Sequence, residues 1–235
     1  MAATPAGVEL GRPLRFGELI AAAVRIYSNR GLPFLAVGLV QAGAFLTTVV
    51  LPFALDLVVL SVAFAVAFAA TVRLVVGDSL ESALQRTGAA VPGLLVLALV
   101  VGVPFYLGSG FLLLLILSVG WLGLTGFAIP ALMIEETDEP SRMARAADAL
   151  RRSLTLARVD YLHAVGVTAA LVIIYILIGV VLALALFGFA DSGRVAALAL
   201  AQIVLAPFFF IGLCVLYFEQ RARSLESAGR PGKGG

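Results

Sequence analysis

The sequence predicts an all-α integral membrane protein: six transmembrane helices in three hairpins, each hairpin preceded by a cytoplasmic-side interfacial amphipathic helix. Three observations carry this expectation. The mean hydropathy is +1.10 and 13% of residues are charged, where soluble domains use about a quarter. Apolar stretches recur at residues 33–53, 54–76, 92–107, 110–134, 161–188 and 195–218, and a hydrocarbon core of about 30 Å needs about 20 helical residues to cross. When these stretches are threaded back and forth, every one of the 16 cationic residues except Arg194 falls on the same side. A soluble helical domain would need polar stripes along its helices, and these stretches lack them.

Taken in order, residues 1–12 include no apolar signal-peptide core, so they are expected to be a disordered cytoplasmic N-terminus and the first apolar run a retained helix. One domain is expected over 13–224, with a disordered tail at 225–235. Phe16, Leu19, Ile20, Ala23, Val24 and Tyr27 form a helical apolar stripe opposite Arg15, Glu18, Arg25 and Asn29. The middle segment "GDSLESALQRTGAAVP" repeats the pattern with Leu80, Ala83 and Leu84, and Asp78 with Glu81 reads as a capping box. In the third, Ser141 can cap a helix whose stripe is Met143, Ala146, Ala147, Leu150, Leu154 and Ala157, with Arg142, Arg145, Asp148 and Arg152 opposite. A basic amphipathic helix beside a span is expected at the interface, arginines toward anionic headgroups. The chain thus reads as three pseudo-repeats, near 13–76, 78–136 and 140–220. Pro33 and Pro92 are expected in the first turns of their spans, where a missing N–H costs nothing. The stretch 92–107 is short for a full crossing.

Charge sets the expected orientation. Arginines at 12, 15, 25, 30, 73, 86, 142, 145, 151, 152, 158, 221, 223 and 230, together with Lys233, share one side, which the positive-inside rule makes cytoplasmic. Both termini are then cytoplasmic and the location is the cell membrane. Alanine- and arginine-rich usage with a single lysine points to a bacterial source.

Within the spans, Gly38 with Ala42, Ala63 with Ala67, and Gly120, Gly123 and Gly126 allow close helix approach. Pro104, Pro130 and Pro207 are expected to kink three spans. Gln41, Trp121, Thr125, Tyr175 and Gln202 are expected to make interhelical hydrogen bonds, and Asp56 and Arg73 to snorkel to the interface. Cys214 reads as a small core hydrophobe.

Catalytic signals are sparse. His163 is the sole histidine and no second His or Cys neighbours it, so it reads as an interfacial anchor beside Tyr161; no metal or cofactor set is expected. No nucleophile elbow or phosphate loop occurs, and the basic residues form no nucleic-acid stripe. The densest charge lies at 135–160. Glu135 and Glu136 end the fourth span, where the helix dipole disfavours them, within reach of Arg145, Arg152 and Arg158. These five residues form either a solvated acidic turn with its neighbours or a cytoplasmic-side cluster that recognises lipid headgroups or a protein partner.

The motifs "IPALMIEE", "AADALRRSLTLARVDYLHAVGV", "LYFEQRARSLE" and "RPLRFGELIAAAVRIYSNRG" together resemble the six-span membrane domain fused to some bacterial glycerophosphodiester phosphodiesterases, and its stand-alone relatives. The resemblance covers roughly 11–226 and implies the six-span fold. In the fused relatives a separate soluble domain, with histidine and acidic metal ligands, carries the hydrolysis; this chain has one histidine, so the activity is not expected here. The expected function is a non-enzymatic membrane module acting through helix packing and through lipid, protein or self-association, with anionic lipids at its cytoplasmic face. The alternative is a small transporter or channel-like permease. An intramembrane lipid-modifying enzyme would need a base or metal site that the sequence lacks.

Overall fold

Apolar runs of this length can satisfy their backbone in hydrocarbon only by closing every hydrogen bond within a helix. Among the described residues six helices are long and apolar enough to cross a membrane: Gly31–Val49, Phe53–Val75, Leu80–Gly108, Leu113–Ile134, Tyr161–Ala185 and Val195–Ser227. The computed structural model of the chain describes residues 2–3, 9–10, 12–109, 112–135, 141–185 and 191–228. After α1 (Phe16–Asn29), the first span is α2 (Gly31–Leu46) with a 3-10 turn at Thr47–Val49, and the second is α3 (Phe53–Val75). The third joins α4 (Leu80–Leu97), a π-helical segment Ala98–Gly102 and α5 (Val103–Ser109). The fourth joins α6 (Leu112–Thr125) and α7 (Ala128–Ile134). A separate helix, α8 (Arg142–Ala157), leads to α9 (Tyr161–Ala185) and α10 (Asp191–Ala228).

Helix α2 packs against α3, α5 against α6 and α9 against α10, while α10 also lies along α2, α1 and α3. The last span is therefore central and the fifth peripheral, with Ile173, Leu177, Val181 and Leu184 of α9 facing outward. The centre is aromatic: Phe64 and Phe210 meet edge to face at 5.1 Å, and Phe210 stacks on Phe68 at 5.3 Å. Cys214 is fully buried beside them in the same core.

The prolines decide where helices approach. Pro104 has no N–H for the carbonyl of Val100, four residues back; the Trp121 indole of α6 donates to that carbonyl at 2.7 Å. Pro207 leaves the Ile203 carbonyl in the same state, and Gly38 of α2 lies against it so closely that a methyl group there would overlap the oxygen. The fourth span breaks at Gly126–Phe127, and Pro130 sits in the first turn of α7, where its missing N–H costs nothing. Of the deep polar residues, Gln41 donates to Tyr106 at 2.5 Å and Tyr175 to Gln202 at 2.6 Å, both between helices. Thr125 instead donates to Trp121 of its own helix.

Several expectations need correction. The middle amphipathic segment is no separate helix: α4 runs unbroken from Leu80 past Pro92, and the carbonyl Pro92 leaves unpaired belongs to the exposed Gly88. The cap of α4 is Ser79, whose hydroxyl accepts from the Ser82 N–H at 3.2 Å, while Asp78 is taken by Arg73. Ser141 does cap α8, accepting from Ala144 at 3.0 Å. On α8 the buried stripe is Ala146, Ala149, Ser153, Leu156 and Ala157, turned from the expected one, with Met143 71% exposed. On α1 the buried face is Leu19, Ala22, Ala23 and Ile26, and Phe16 and Val24 are exposed. Both helices bury small or compact residues against the bundle, because periodicity locates an apolar face without saying whether protein or lipid covers it. Within the segments expected to be disordered, Ala2–Ala3 pairs antiparallel with Glu9–Leu10 and α10 continues to Ala228.

Candidate functional site

The arginine-rich end of the bundle is organised by helix termini. Helix α3 ends on Gly77, whose φ of 110° only glycine adopts without strain. The Gly77 N–H donates to the Leu74 carbonyl at 3.2 Å and the Asp78 N–H to the Arg73 carbonyl at 3.0 Å, the paired bonds of a Schellman cap. This turn folds Asp78 back onto its own helix, where its carboxylate meets Arg73 at 2.7 Å and Arg86 at 3.7 Å. Arg73 also donates to the Met133 carbonyl in the last turn of α7 at 3.0 Å, and Arg30 to Leu74 at 3.2 Å. Guanidiniums at helix C-termini satisfy carbonyls that have no helical partner and complement the dipole. Arg73 was expected to snorkel to the interface; instead its side chain is 12% exposed and held by these partners. Asp56 at the opposite end is likewise buried, accepting from the Thr47 hydroxyl at 3.1 Å.

Beside this turn lies a cavity of about 270 Å³ lined by Arg73, Arg86, Ala89, Ala90, Gly93, Leu132, Met133 and Arg145. Ala89, Ala90 and Gly93 on α4 are small enough to leave the space, and α3, α4 and α8 each supply one arginine. Among the described residues three guanidiniums and no carboxylate line it, and two of them, Arg73 and Arg86, share Asp78 beside it. Among the described residues its lining is therefore positively charged. Its chemistry suits a phosphate or carboxylate oxygen, which guanidinium forks bind with paired hydrogen bonds.

The junction between the fourth span and α8 divides the residues that the sequence singles out. Glu135 follows α7 in extended conformation; its carboxylate accepts from the Tyr217 hydroxyl of α10 at 2.6 Å and pairs with Arg152 of α8 at 3.3 Å. Ser153, one residue on, donates to the Leu124 carbonyl at the α6–α7 break at 2.7 Å. These contacts tie α8 to three helices. Arg145 lies away from Glu135, at the basic cavity. Arg158 ends α8, exposed, with no ion pair among the described residues. Glu136 lies outside the described residues.

A second polar cluster was not foreseen. Asp160 caps α9 by accepting from the His163 N–H at 3.2 Å, and Arg223 of α10 bridges Asp160 and Glu219. The Glu219 side chain is fully buried, accepts from Gln220 at 3.2 Å and lies 3.4 Å from His163 Nε2. His163 is thus half-buried against a carboxylate and not simply an anchor at the surface. Two signals were present in the sequence: Glu219 and Arg223 at i, i+4, and an aspartate directly before an apolar run. Nothing local indicated that the two would meet. Among the described residues no group of three or more His, Cys, Asp or Glu side chains is placed to hold a metal ion. Comparison with protein-family models, curated proteins and solved structures finds no match.

Proposed function

We propose that this protein is a non-enzymatic, multi-pass module of the cell membrane whose arginine-rich end binds anionic phospholipid headgroups. In this reading the six spans form three hairpins, both termini are cytoplasmic, and α1 and α8 lie at the headgroup level on the same face. The carrying observation is the cavity of about 270 Å³ lined by Arg73, Arg86 and Arg145, of which the first two share the carboxylate of Asp78. Arg73 is fastened to protein groups, while Arg86 and Arg145 are exposed at the rim, where a phosphate can reach them. The resemblance to diesterase membrane domains agrees with a non-catalytic role, since hydrolysis in those proteins belongs to the soluble domain.

The purified chain in nanodiscs tests the proposal by lipid competition. It should retain phosphatidylglycerol over phosphatidylcholine, and Arg86→Gln with Arg145→Gln should reduce that preference about thirtyfold, at ~1 kcal/mol per cation near the surface. Competition by millimolar inorganic phosphate would assign the site to free anion instead of lipid. Equal retention of both lipids by the native chain would refute headgroup binding. A permease is the second reading, and one observation favours it: a central cavity to which all six spans contribute side chains.

A further inference from the structure

The central cavity, of about 280 Å³, is a separate feature from the arginine site and lies nearer the opposite end of the bundle. Gln41 in its wall stands about 12 Å of helix from the Val49 end of its span, at ~1.5 Å per residue. Half of the lining residues are aromatic: Phe45, Phe64, Phe105, Phe209 and Phe210, with Tyr106 and Tyr175. Its volume is near the lower end of small-molecule sites, which run from about 300 Å³. Among the described residues no charged side chain lines it, and a charged ligand at this depth would carry a large desolvation cost.

Two polar pairs interrupt the apolar wall, and they differ. Tyr175 donates to the Gln202 side-chain carbonyl at 2.6 Å, which satisfies that oxygen. Gln41 is 2% exposed and gives its amide N–H to Tyr106, but among the described residues its carbonyl oxygen accepts nothing. A buried amide oxygen without a donor is costly, so a hydroxyl brought by a ligand would gain more here than at a solvated site. A second, largely apolar cleft of about 220 Å³ lies between α9 and α10 and shares Tyr175, Ile176 and Gln202 with the central cavity. Val180 and Leu198 on that cleft are exposed on the outer surface of the bundle. The Tyr175–Gln202 pair thus stands between the cavity and the lipid-facing side of α9.

We propose that the central cavity binds an uncharged amphiphile, an apolar body carrying one hydroxyl, which reaches the Gln41 carbonyl from the bilayer side of α9 and α10. The aromatic wall holds the body by edge and face contacts, and the hydroxyl donates to Gln41. The inference is independent of headgroup binding at the arginine end.

The full chain in phosphatidylcholine nanodiscs can be titrated with 4-(trifluoromethyl)benzyl alcohol and followed by fluorine NMR. The expected result is a protein-dependent resonance distinct from the lipid-partitioned one. Its affinity should exceed that of 4-(trifluoromethyl)toluene, which lacks the donor, by about tenfold or more. Gln41→Leu should remove that difference, and Ala206→Phe, which fills the cavity from α10, should remove the resonance. Absence of a protein-dependent resonance, equal affinity for alcohol and toluene, or a resonance indifferent to Gln41→Leu would overturn the proposal. Should Ala206→Phe fail to fold, the alcohol-against-toluene comparison on the native chain decides alone.

Discussion

Gly38 illustrates how much a single residue carries in this bundle. The carbonyl of Ile203 is released by Pro207, and only a hydrogen at position 38 lets α2 and α10 close over it. Gly38→Ala should therefore force the first and last spans apart and destabilise the protein by about 1–3 kcal/mol, read as a lowered thermal midpoint in detergent. Gly43→Ala, on the same helix with open space around it, should change the midpoint little or raise it slightly through better helix propensity. The sequence showed Gly38 as a small residue suited to close packing. It could not show that its counterpart was a proline-released carbonyl, because the pairing of α2 with α10 joins the two ends of the chain. Gln41 has the same history: its depth in the span was legible, its partner Tyr106 was not.

At the level of elements, spans were legible and their ends were less so. Length and hydropathy locate an apolar run well, yet they split 78–107 into an interfacial helix and a short crossing where the structure has one helix from Leu80 to Gly108. Pro92 was read as a first-turn residue, but it lies inside α4. Helices α1 and α8 occur where two of the three stripes were read, with only part of each stripe buried (Leu19 and Ala23; Ala146 and Ala157), because the docking face of α8 is set by small side chains and Ser153. The Glu135–Arg152 pair is the element-level contact that tests this docking. Arg152 is 39% exposed and Glu135 19%, so the pair is worth about 0.2–1 kcal/mol after solvent screening. Glu135→Gln and Arg152→Gln should each lower the thermal midpoint, and the double variant should lose less than the sum by that coupling. Strict additivity would mean that α8 is held by Ser153 and its alanine stripe alone. The Asp160–Glu219–Arg223 cluster was illegible at this scale, since it needs the N-terminus of α9 beside the far end of α10.

For the whole molecule, the account rests on polarity. The Arg30, Arg73, Arg86, Arg145, Arg152 and Arg223 contacts all gather at the ends of helices that share one side, while the helix ends at Val49, Ser109 and Ala185 lie at the other. This asymmetry is legible in the sequence, because it depends only on the order of charges between apolar runs. The basic cavity and the central cavity were not, because each is assembled from residues of several helices. Both proposals require that all six helices cross and that the arginine end face the cytoplasm. Paired reporter fusions measure this directly, with alkaline phosphatase active outside and a fluorescent protein active inside. Fusions after Gly110 and Gly193 should report export, and fusions after Arg86, Arg145 and Gly235 the cytoplasm. A cytoplasmic signal at Gly110 would mean that Leu80–Gly108 does not cross, and the six-span arrangement with both of its cavities would fall with it.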